Sequence, residues 1–160
     1  MSIEKRQAMP QGGFGIMTGS GPGHISAGDL FKGKKVVLFS VPGAFTPTCS
    51  NEHLPGYVNN ADALHAKGID QIACMAVNDV FVMDAWGRAG GAGDSVMMLA
   101  DGNGDYTRAL GLELDASGFG MGMRGQRFSI VVEDGVVTEL NVEEGGGLSC
   151  SSAEAALEQL

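Results

Sequence analysis

The stretch VVLFSVPGAFTPTCS, residues 36–50, decides the fold. Its first six residues are β-branched or apolar almost throughout, which is typical of a strand covered on both faces. A Pro-Gly pair ends this run, and the pattern that follows predicts a helix over residues 49–67, with a bend or restart at Pro55. The stretch therefore predicts a buried strand that leads into a helix with a cysteine in its first turn.

The rest of the chain alternates strand and helix patterns. Further elements are predicted as strands over residues 72–77 and 96–100 and helices over residues 79–89, 106–112 and 152–160. Residues 128–132 and 136–142 are predicted to form a hairpin, because the Asp134-Gly135 pair between them is a strong turn signal. Residues 114–125, which are rich in glycine, are predicted to be a loop.

This order predicts an α/β fold with a mixed central sheet and helices on both faces. The thioredoxin-like architecture has the same order of elements, although the pattern alone leaves flavodoxin-like folds open. The length of 160 residues and the absence of repeats or long linkers predict one domain over residues 1–160. Within it, residues 1–28 are predicted to be an irregular or hairpin lead-in.

Charge and cysteine usage exclude several classes of protein. The chain has 10 Lys and Arg against 19 Asp and Glu, which argues against nucleic-acid or anionic membrane partners. The sequence has neither an apolar run of membrane-spanning length nor the pattern of a secretory signal. Cys49, Cys74 and Cys150 are too widely spaced for a zinc site, and three cysteines do not make a disulfide scaffold. We therefore expect no metal and a reducing compartment, cytoplasmic or organellar.

Cys49 is the candidate for chemistry. The start of a helix favours negative charge, and the thiolate is the reactive form of cysteine. Thr46, three residues earlier, can place a hydroxyl beside the sulfur, and Pro42 can screen the site from water. A single cysteine after a strand is more often inert packing, but these neighbours favour a reactive thiol.

Pro42, Thr46 and Cys49 also match the P-x-x-x-T-x-x-C motif of the peroxiredoxins, and the chain resembles the type II (atypical) subgroup. The resemblance runs from about residue 29 to residue 160. Beyond the motif it is carried by residues 53–57 (HLPGY), 77–79 (VND), 84–86 (DAW), 99–102 (LADG) and 127–132 (RFSIVV).

The resemblance implies a thiol peroxidase that needs no metal, haem or flavin. Cys49 would attack a hydroperoxide and become a sulfenic acid. Arg127 matches the arginine that stabilises the thiolate and the reacting peroxide, with Arg124 as its rival. Thr46 would hydrogen-bond the peroxide or the sulfur, and Pro42 would pack over the pocket.

The sulfenic acid must then be reduced by a second thiol. Cys150, in a glycine-rich segment, matches the resolving position of the animal branch, and Cys74 matches a second cysteine of the plant branch. We favour Cys150, because Cys74 lies in a predicted buried strand. An external thiol from glutathione, glutaredoxin or thioredoxin is the alternative.

Further expectations concern the pocket and the partners. We expect Phe45, Thr48, Phe119 and Met123 to line the substrate pocket. The subgroup often forms homodimers through the face near the active site, which implies that Phe45 and Trp86 lie close to a subunit contact.

Three other classes remain as alternatives. A thiol–disulfide oxidoreductase of this fold would need C-x-x-C, and Cys49 is followed by Ser-Asn-Glu. A cysteine hydrolase would need a base, and His53, the only nearby candidate, is better explained as a packed or capping residue. A redox-regulated chaperone or signalling adaptor of the same fold is the third alternative.

Overall fold

Within residues 2–145 and 147–160, the part of the chain that the computed structural model describes, there are nine β-strands and six α-helices. The strands are β1 (Gly13–Thr18), β2 (Gly21–Ser26), β3 (Lys35–Ser40), β4 (Gln71–Ala76), β5 (Met97–Ala100), β6 (Glu113–Asp115), β7 (Met123–Gly125), β8 (Phe128–Glu133) and β9 (Val136–Val142). The helices are α1 (Ala27–Phe31), α2 (Leu54–Asn59), α3 (Ala61–Ala66), α4 (Val80–Ala89), α5 (Asp105–Leu110) and α6 (Ala153–Gln159).

Seven of these described strands form one sheet in the order β2-β1-β5-β4-β3-β8-β9. The pairs β3–β4 and β4–β5 are parallel, because helices cross over between them, and the other pairs are antiparallel. The prediction of a mixed central sheet is confirmed.

The sheet separates two apolar cores. On β3, Val37 and Phe39 belong to the core shared with α2, α3, α4 and α6. Val36 and Leu38 belong to the core on the opposite face, which α1 and α5 cover. Side chains of a strand alternate between faces, so an all-apolar strand supplies both cores. The prediction of helices on both faces is therefore also confirmed.

The predicted hairpin is present between β8 and β9. Asp134 and Gly135 adopt φ angles of 48° and 81°, between the paired residues Glu133 and Val136. Two consecutive positive φ angles are those of a type I′ turn, for which Asp-Gly is well suited.

The N-terminal segment is a hairpin that extends the main sheet. Strands β1 and β2 pair antiparallel from Gly13–Ser26 to Thr18–Gly21. Strand β1 also pairs with β5 through Gly15 and Ala100, so the hairpin forms one edge of the sheet.

Two predictions of local structure need correction. Residues 114–125 are not simply a loop, because β6 and β7 pair there around a 3-10 turn at Ser117–Phe119. Strands of three residues are too short to show a periodic pattern. The single helix predicted over residues 49–67 is a π-helical segment, Cys49–His53, followed by α2 and α3. Pro55 lies in the first turn of α2, where a proline is tolerated.

Candidate active site

Cys49 lies in the first helical turns that follow β3. Residues 47 and 48 already have helical backbone, and the amide of Ser50 donates to the carbonyl of Thr46 at 2.9 Å. The loop between strand and helix is tied down by the Ala44 amide, which donates to Oδ1 of Asn78 at 3.0 Å. Cys49 itself is completely buried. Its sulfur is therefore held at the carboxyl end of a central strand, within the protein interior.

Two side chains contact the Cys49 sulfur. Thr46 Oγ1 lies 2.8 Å from Sγ and 2.7 Å from the carbonyl oxygen of Gly43. Nη2 of Arg127 donates to Sγ at 3.1 Å. Arg127 immediately precedes β8, the antiparallel neighbour of β3, and pairing of these strands brings it to Cys49. Arg127 thus places a fixed positive charge, and Thr46 a hydroxyl, within hydrogen-bond distance of the sulfur.

Arg124, the rival cation, points elsewhere. Its Nε donates to the carbonyl of Met121 at 2.9 Å, and its Nη1 donates to the carbonyl of Val77 at 3.1 Å. Of the two arginines it is therefore Arg127 that contacts Cys49.

His53 is buried beside Arg127. Its Nδ1 lies 2.9 Å from Nη1 of Arg127, and its Nε2 lies 3.0 Å from the carbonyl oxygen of Ser151. Burial and the adjacent Arg127 charge lower the pKa of His53 to about 3, so the ring is neutral at physiological pH. Arginine can only donate and a carbonyl can only accept, so Nδ1 is the acceptor and Nε2 carries the proton. The packed role expected from the sequence is present, but the contact with Arg127 has no local signal in the sequence.

The C-terminal segment around Ser151 is held by Glu143. The carboxylate accepts hydrogen bonds from the amides and hydroxyls of both Ser149 and Ser151, at 2.6–2.9 Å. Burial acts to raise the pKa of Glu143, but these hydrogen bonds outweigh it and lower the pKa to about 2. Tyr57 adds a hydrogen bond from its hydroxyl to the Ser151 carbonyl at 2.8 Å. We call this arrangement, Glu143 with Ser149 and Ser151, the C-terminal clasp.

The three cysteines are free and differ in surroundings. Cys74 is fully buried in β4, and burial together with the nearby Cys49 raises the pKa of its thiol well above the usual value. Cys150 is half-buried within the C-terminal clasp, where burial and the Glu143 charge raise the pKa of its thiol. Cys150 is thus the more accessible partner, although the structure holds it apart from Cys49 as a free thiol.

A cavity of about 330 Å³ lies beside the site. Pro42 and Arg127 line it together with the predicted pocket residue Phe119, which is 86% exposed. Met123, also predicted for the pocket, lines a separate cavity next to Arg124. The other two predicted pocket residues are the exposed Phe45 and the half-buried Thr48, and neither lines the 330 Å³ cavity.

Trp86, which was expected to lie close to a subunit contact, has a buried side chain in this chain. Its side chain is only 1% exposed and belongs to the core beneath α4, and its Nε1 donates to Oγ of Ser50 at 2.9 Å. Phe45, which is 56% exposed, remains available at the surface.

Two features are absent from the described residues. Across residues 2–145 and 147–160, no three His, Cys, Asp or Glu side chains are grouped so that they could hold a metal ion. No helix in the same part of the chain has the length and apolar character needed to cross a membrane.

Comparisons with known proteins agree with this geometry. The redoxin family model matches residues 5–157. Peroxiredoxin-2C of rice is 50% identical over 153 residues, which cover 95% of this chain and 94% of the relative. The chloroplastic peroxiredoxin-2E-2 of rice is 53% identical over 139 residues, 85% of this chain, but the chain spans only 62% of that relative's length.

A solved structure gives the same result for the fold. Reduced Prx3 of Vibrio vulnificus, crystallised in complex with hydrogen peroxide, is 51% identical, and 98% of each chain superimposes with a TM-score of 0.94. The sequence motif, the contacts of the buried sulfur and these similarities have one explanation: the chain belongs to the redoxin family and, within it, to the peroxiredoxins.

Proposed function

We propose that this protein is a thiol peroxidase that reduces hydrogen peroxide and small alkyl hydroperoxides through Cys49. The observation that carries the proposal is the pair of contacts on the Cys49 sulfur, from Thr46 Oγ1 at 2.8 Å and Arg127 Nη2 at 3.1 Å. Peroxiredoxins at about 50% identity support it, as does the hydrogen peroxide bound to Prx3 of Vibrio vulnificus.

In the first step the Cys49 thiolate attacks the terminal oxygen of the hydroperoxide. A sulfur–oxygen bond forms, the oxygen–oxygen bond breaks, and the departing oxygen takes a proton and leaves as water or an alcohol. Cysteine is oxidised to sulfenic acid while the peroxide is reduced by two electrons. Arg127 supports this step, because its fixed positive charge lies 3.1 Å from the sulfur and stabilises the negative charge that develops on the departing oxygen.

The second step returns Cys49 to the thiol. We propose that Cys150 attacks the sulfenic sulfur, forming a disulfide and releasing water. Its partial exposure supports this choice over the fully buried Cys74. The disulfide, or the sulfenic acid directly, is then reduced by an external thiol from glutathione, glutaredoxin or thioredoxin.

The setting of the protein is also a proposal. Three free cysteines fit a reducing compartment, cytoplasmic or organellar, and two of the related peroxiredoxins are named as chloroplastic.

We further propose that the chain forms a homodimer, for which the exposed side chains of Phe45 and Phe81 supply apolar contact area.

The experiment that tests the function is peroxide consumption with intact-mass analysis. The wild type should consume hydrogen peroxide with a thiol reductant, and Cys49→Ser should not. After one equivalent of peroxide without reductant, a loss of about 2 Da indicates a disulfide and a gain of about 16 Da a persistent sulfenic acid. A Cys49–Cys74 disulfide would refute the role of Cys150, and Cys49-independent consumption would refute the function.

A further inference from the structure

A continuous chain of hydrogen bonds leads from the Cys49 sulfur to the C-terminal clasp. Arg127 donates to Sγ through Nη2 and to His53 through Nη1, and His53 donates through Nε2 to the carbonyl of Ser151. Ser151 in turn donates its amide and its hydroxyl to Glu143. Every link joins buried groups, so each bond is shielded from competition by water.

The guanidinium of Arg127 has few other anchors. The residue is only 6% exposed, and its Nε has no hydrogen-bond partner in the part of the chain that the structure describes. One contact, to the sulfur, leaves a planar group free to rotate about that contact. A second contact on a different nitrogen removes this freedom, and the acceptor that supplies it is Nδ1 of His53.

From this geometry we propose that His53 is a positioning residue for Arg127, and that its own orientation is set by the Ser151 carbonyl. The inference rests on the peroxidase function proposed above. His53 does not touch the reacting atoms. It acts by presenting a lone pair that holds Nη1, so that Nη2 faces the sulfur before peroxide arrives. Such preorganisation lowers the barrier because the donor does not have to reorient during the reaction.

Tyr57 offers a matched control for this role. Its hydroxyl donates to the same Ser151 carbonyl as His53, at 2.8 Å, but it does not contact Arg127. Tyr57→Phe therefore removes a bond to the C-terminal segment and keeps the stacking of this ring on Phe39. A role of His53 confined to holding that segment would be reproduced by Tyr57→Phe.

The test compares two replacements of nearly equal shape. His53→Leu has no acceptor, whereas His53→Asn can present its amide oxygen near the place of Nδ1. The second-order rate of reaction with hydrogen peroxide is followed by the fluorescence of Trp86, the single tryptophan, whose ring contacts Ser50 next to Cys49. Melting temperatures of all variants are recorded in parallel.

We expect His53→Leu to slow the reaction between about tenfold and about 100-fold. We expect His53→Asn and Tyr57→Phe to stay within about threefold of the wild type, since either keeps a partner for Nη1. In an Arg127→Lys background, each His53 replacement should lower the rate by less than about a further twofold, because the guanidinium that His53 positions is absent.

Several results would overturn the proposal. The first is a wild-type rate for His53→Leu. The second is an equal loss of rate for His53→Leu and His53→Asn. The third is a loss of rate for Tyr57→Phe as large as that for His53→Leu. If His53→Leu does not fold, a loss on His53→Asn that is unchanged in the Arg127→Lys background is equally decisive against it. A wild type without Cys49-dependent reaction refutes the peroxidase function as well. An active wild type with an insensitive His53 refutes only the positioning role.

Discussion

The Thr46 hydroxyl carries one hydrogen atom and has two groups within reach. It lies 2.7 Å from the Gly43 carbonyl and 2.8 Å from the Cys49 sulfur. While Cys49 is a thiol, the hydroxyl can donate to Gly43 and accept from the sulfur. Once Cys49 is ionised, only donation toward the sulfur is favourable, so the hydroxyl turns toward it. Thr46 can thus serve both protonation states of one sulfur.

This argument predicts the effect of Thr46→Val, which keeps the shape and removes the hydroxyl. The rate of Cys49 oxidation by hydrogen peroxide should fall by about 10²–10³, the usual effect of removing one preorganised donor. The matched change Thr138→Val removes a hydroxyl that donates to Val131 on the β8–β9 pair, and it should leave the rate unchanged. Stopped-flow kinetics at a fixed pH measure both, and equal rates for Thr46→Val and the wild type would contradict the role of the hydroxyl.

The two arginines near the site give a second test. Arg127→Lys keeps a positive charge but loses the fork that joins Cys49 to His53, and the peroxide rate should fall about 100-fold. Arg124→Lys alters a side chain bonded to backbone carbonyls, and the rate should stay within about threefold of the wild type. The same kinetic assay measures both variants. A larger loss of rate for Arg124→Lys than for Arg127→Lys would assign the role of the stabilising cation to Arg124.

Sequence reasoning identified part of this site. Cys49, Thr46 and Pro42 lie within eight residues, so a local motif records them. Arg127 entered only through the family resemblance, because it lies 78 residues from Cys49. The contact of His53 with Arg127 depends on the pairing of β3 with β8 and on where the Ser151 carbonyl lies. Hydrogen bonds of this kind have no pattern in a single sequence.

At the scale of elements, prediction succeeded where local chemistry dominates. The Asp134-Gly135 turn appears as expected, because a turn is set by adjacent residues. The side chains of Asp79 and Ser152 cap α4 and α6, which again depends only on adjacent residues. The β6–β7 pair was missed, since three-residue strands are stabilised by each other and not by their own pattern. The restart predicted at Pro55 corresponds to the start of α2 at Leu54, but the π-helical form of residues 49–53 and the separate helix α3 have no signal in the sequence.

Adding one methyl group at Gly135 tests whether the β8–β9 turn requires a positive φ angle. Gly135 has a φ of 81° and open space around the position that a Cβ would occupy, so Gly135→Ala introduces backbone strain without a clash. The free energy of unfolding should fall by about 1–2 kcal/mol. Gly19→Ala, at an open position without a positive φ, should change it by less than about 0.5 kcal/mol. Urea unfolding measures both, and an unchanged midpoint for Gly135→Ala would contradict the strain.

The C-terminal clasp should make stability depend on pH. The pKa of Glu143 is held at about 2, below its unfolded value, so its contribution is complete above about pH 5 and is lost as the pH falls toward 2. Glu143→Gln should therefore lower the free energy of unfolding on the order of 1–3 kcal/mol at pH 7. This difference from the wild type should shrink at pH 3.

Urea titrations of the wild type and Glu143→Gln at the two pH values measure this difference. Glu144→Gln, at the exposed neighbouring position, should show little effect at either pH. A difference for Glu143→Gln that stays constant with pH would mean that the ionised carboxylate is not what holds Ser149 and Ser151.

At the scale of the whole molecule, the order of strands in the sheet cannot be predicted from any single element. Strand β3 lies between β4 and β8, and the N-terminal hairpin reaches the sheet beside β5. These long-range pairings place Arg127 next to Cys49 and leave the C-terminal segment over His53. Alternating strand and helix patterns predicted the class of sheet, and the pairing itself required the assembled chain.

The same assembly predicts how the molecule changes when it is oxidised. Disulfide formation requires the two Cα atoms to come within about 7 Å of each other. Cys49 is fully buried, and Cys150 is held within the C-terminal clasp. Formation of a Cys49–Cys150 bond should therefore break the hydrogen bonds to Ser151 and locally unfold the π-helical segment. The hydrogen bonds between the strands of the central sheet should remain intact.

Hydrogen–deuterium exchange with mass spectrometry measures this change on the reduced and the peroxide-treated protein. Peptides covering residues 47–60 and 143–160 should exchange faster after oxidation, and peptides of β3, β4 and β8 should not change. Cys150→Ser is the control, because it cannot form the disulfide and should keep slow exchange in residues 143–160 after peroxide. Equal protection of that segment in the reduced and oxidised wild type would show that resolution of Cys49 proceeds without Cys150. The reductant of the sulfenic acid would then be an external thiol that reaches Cys49 directly.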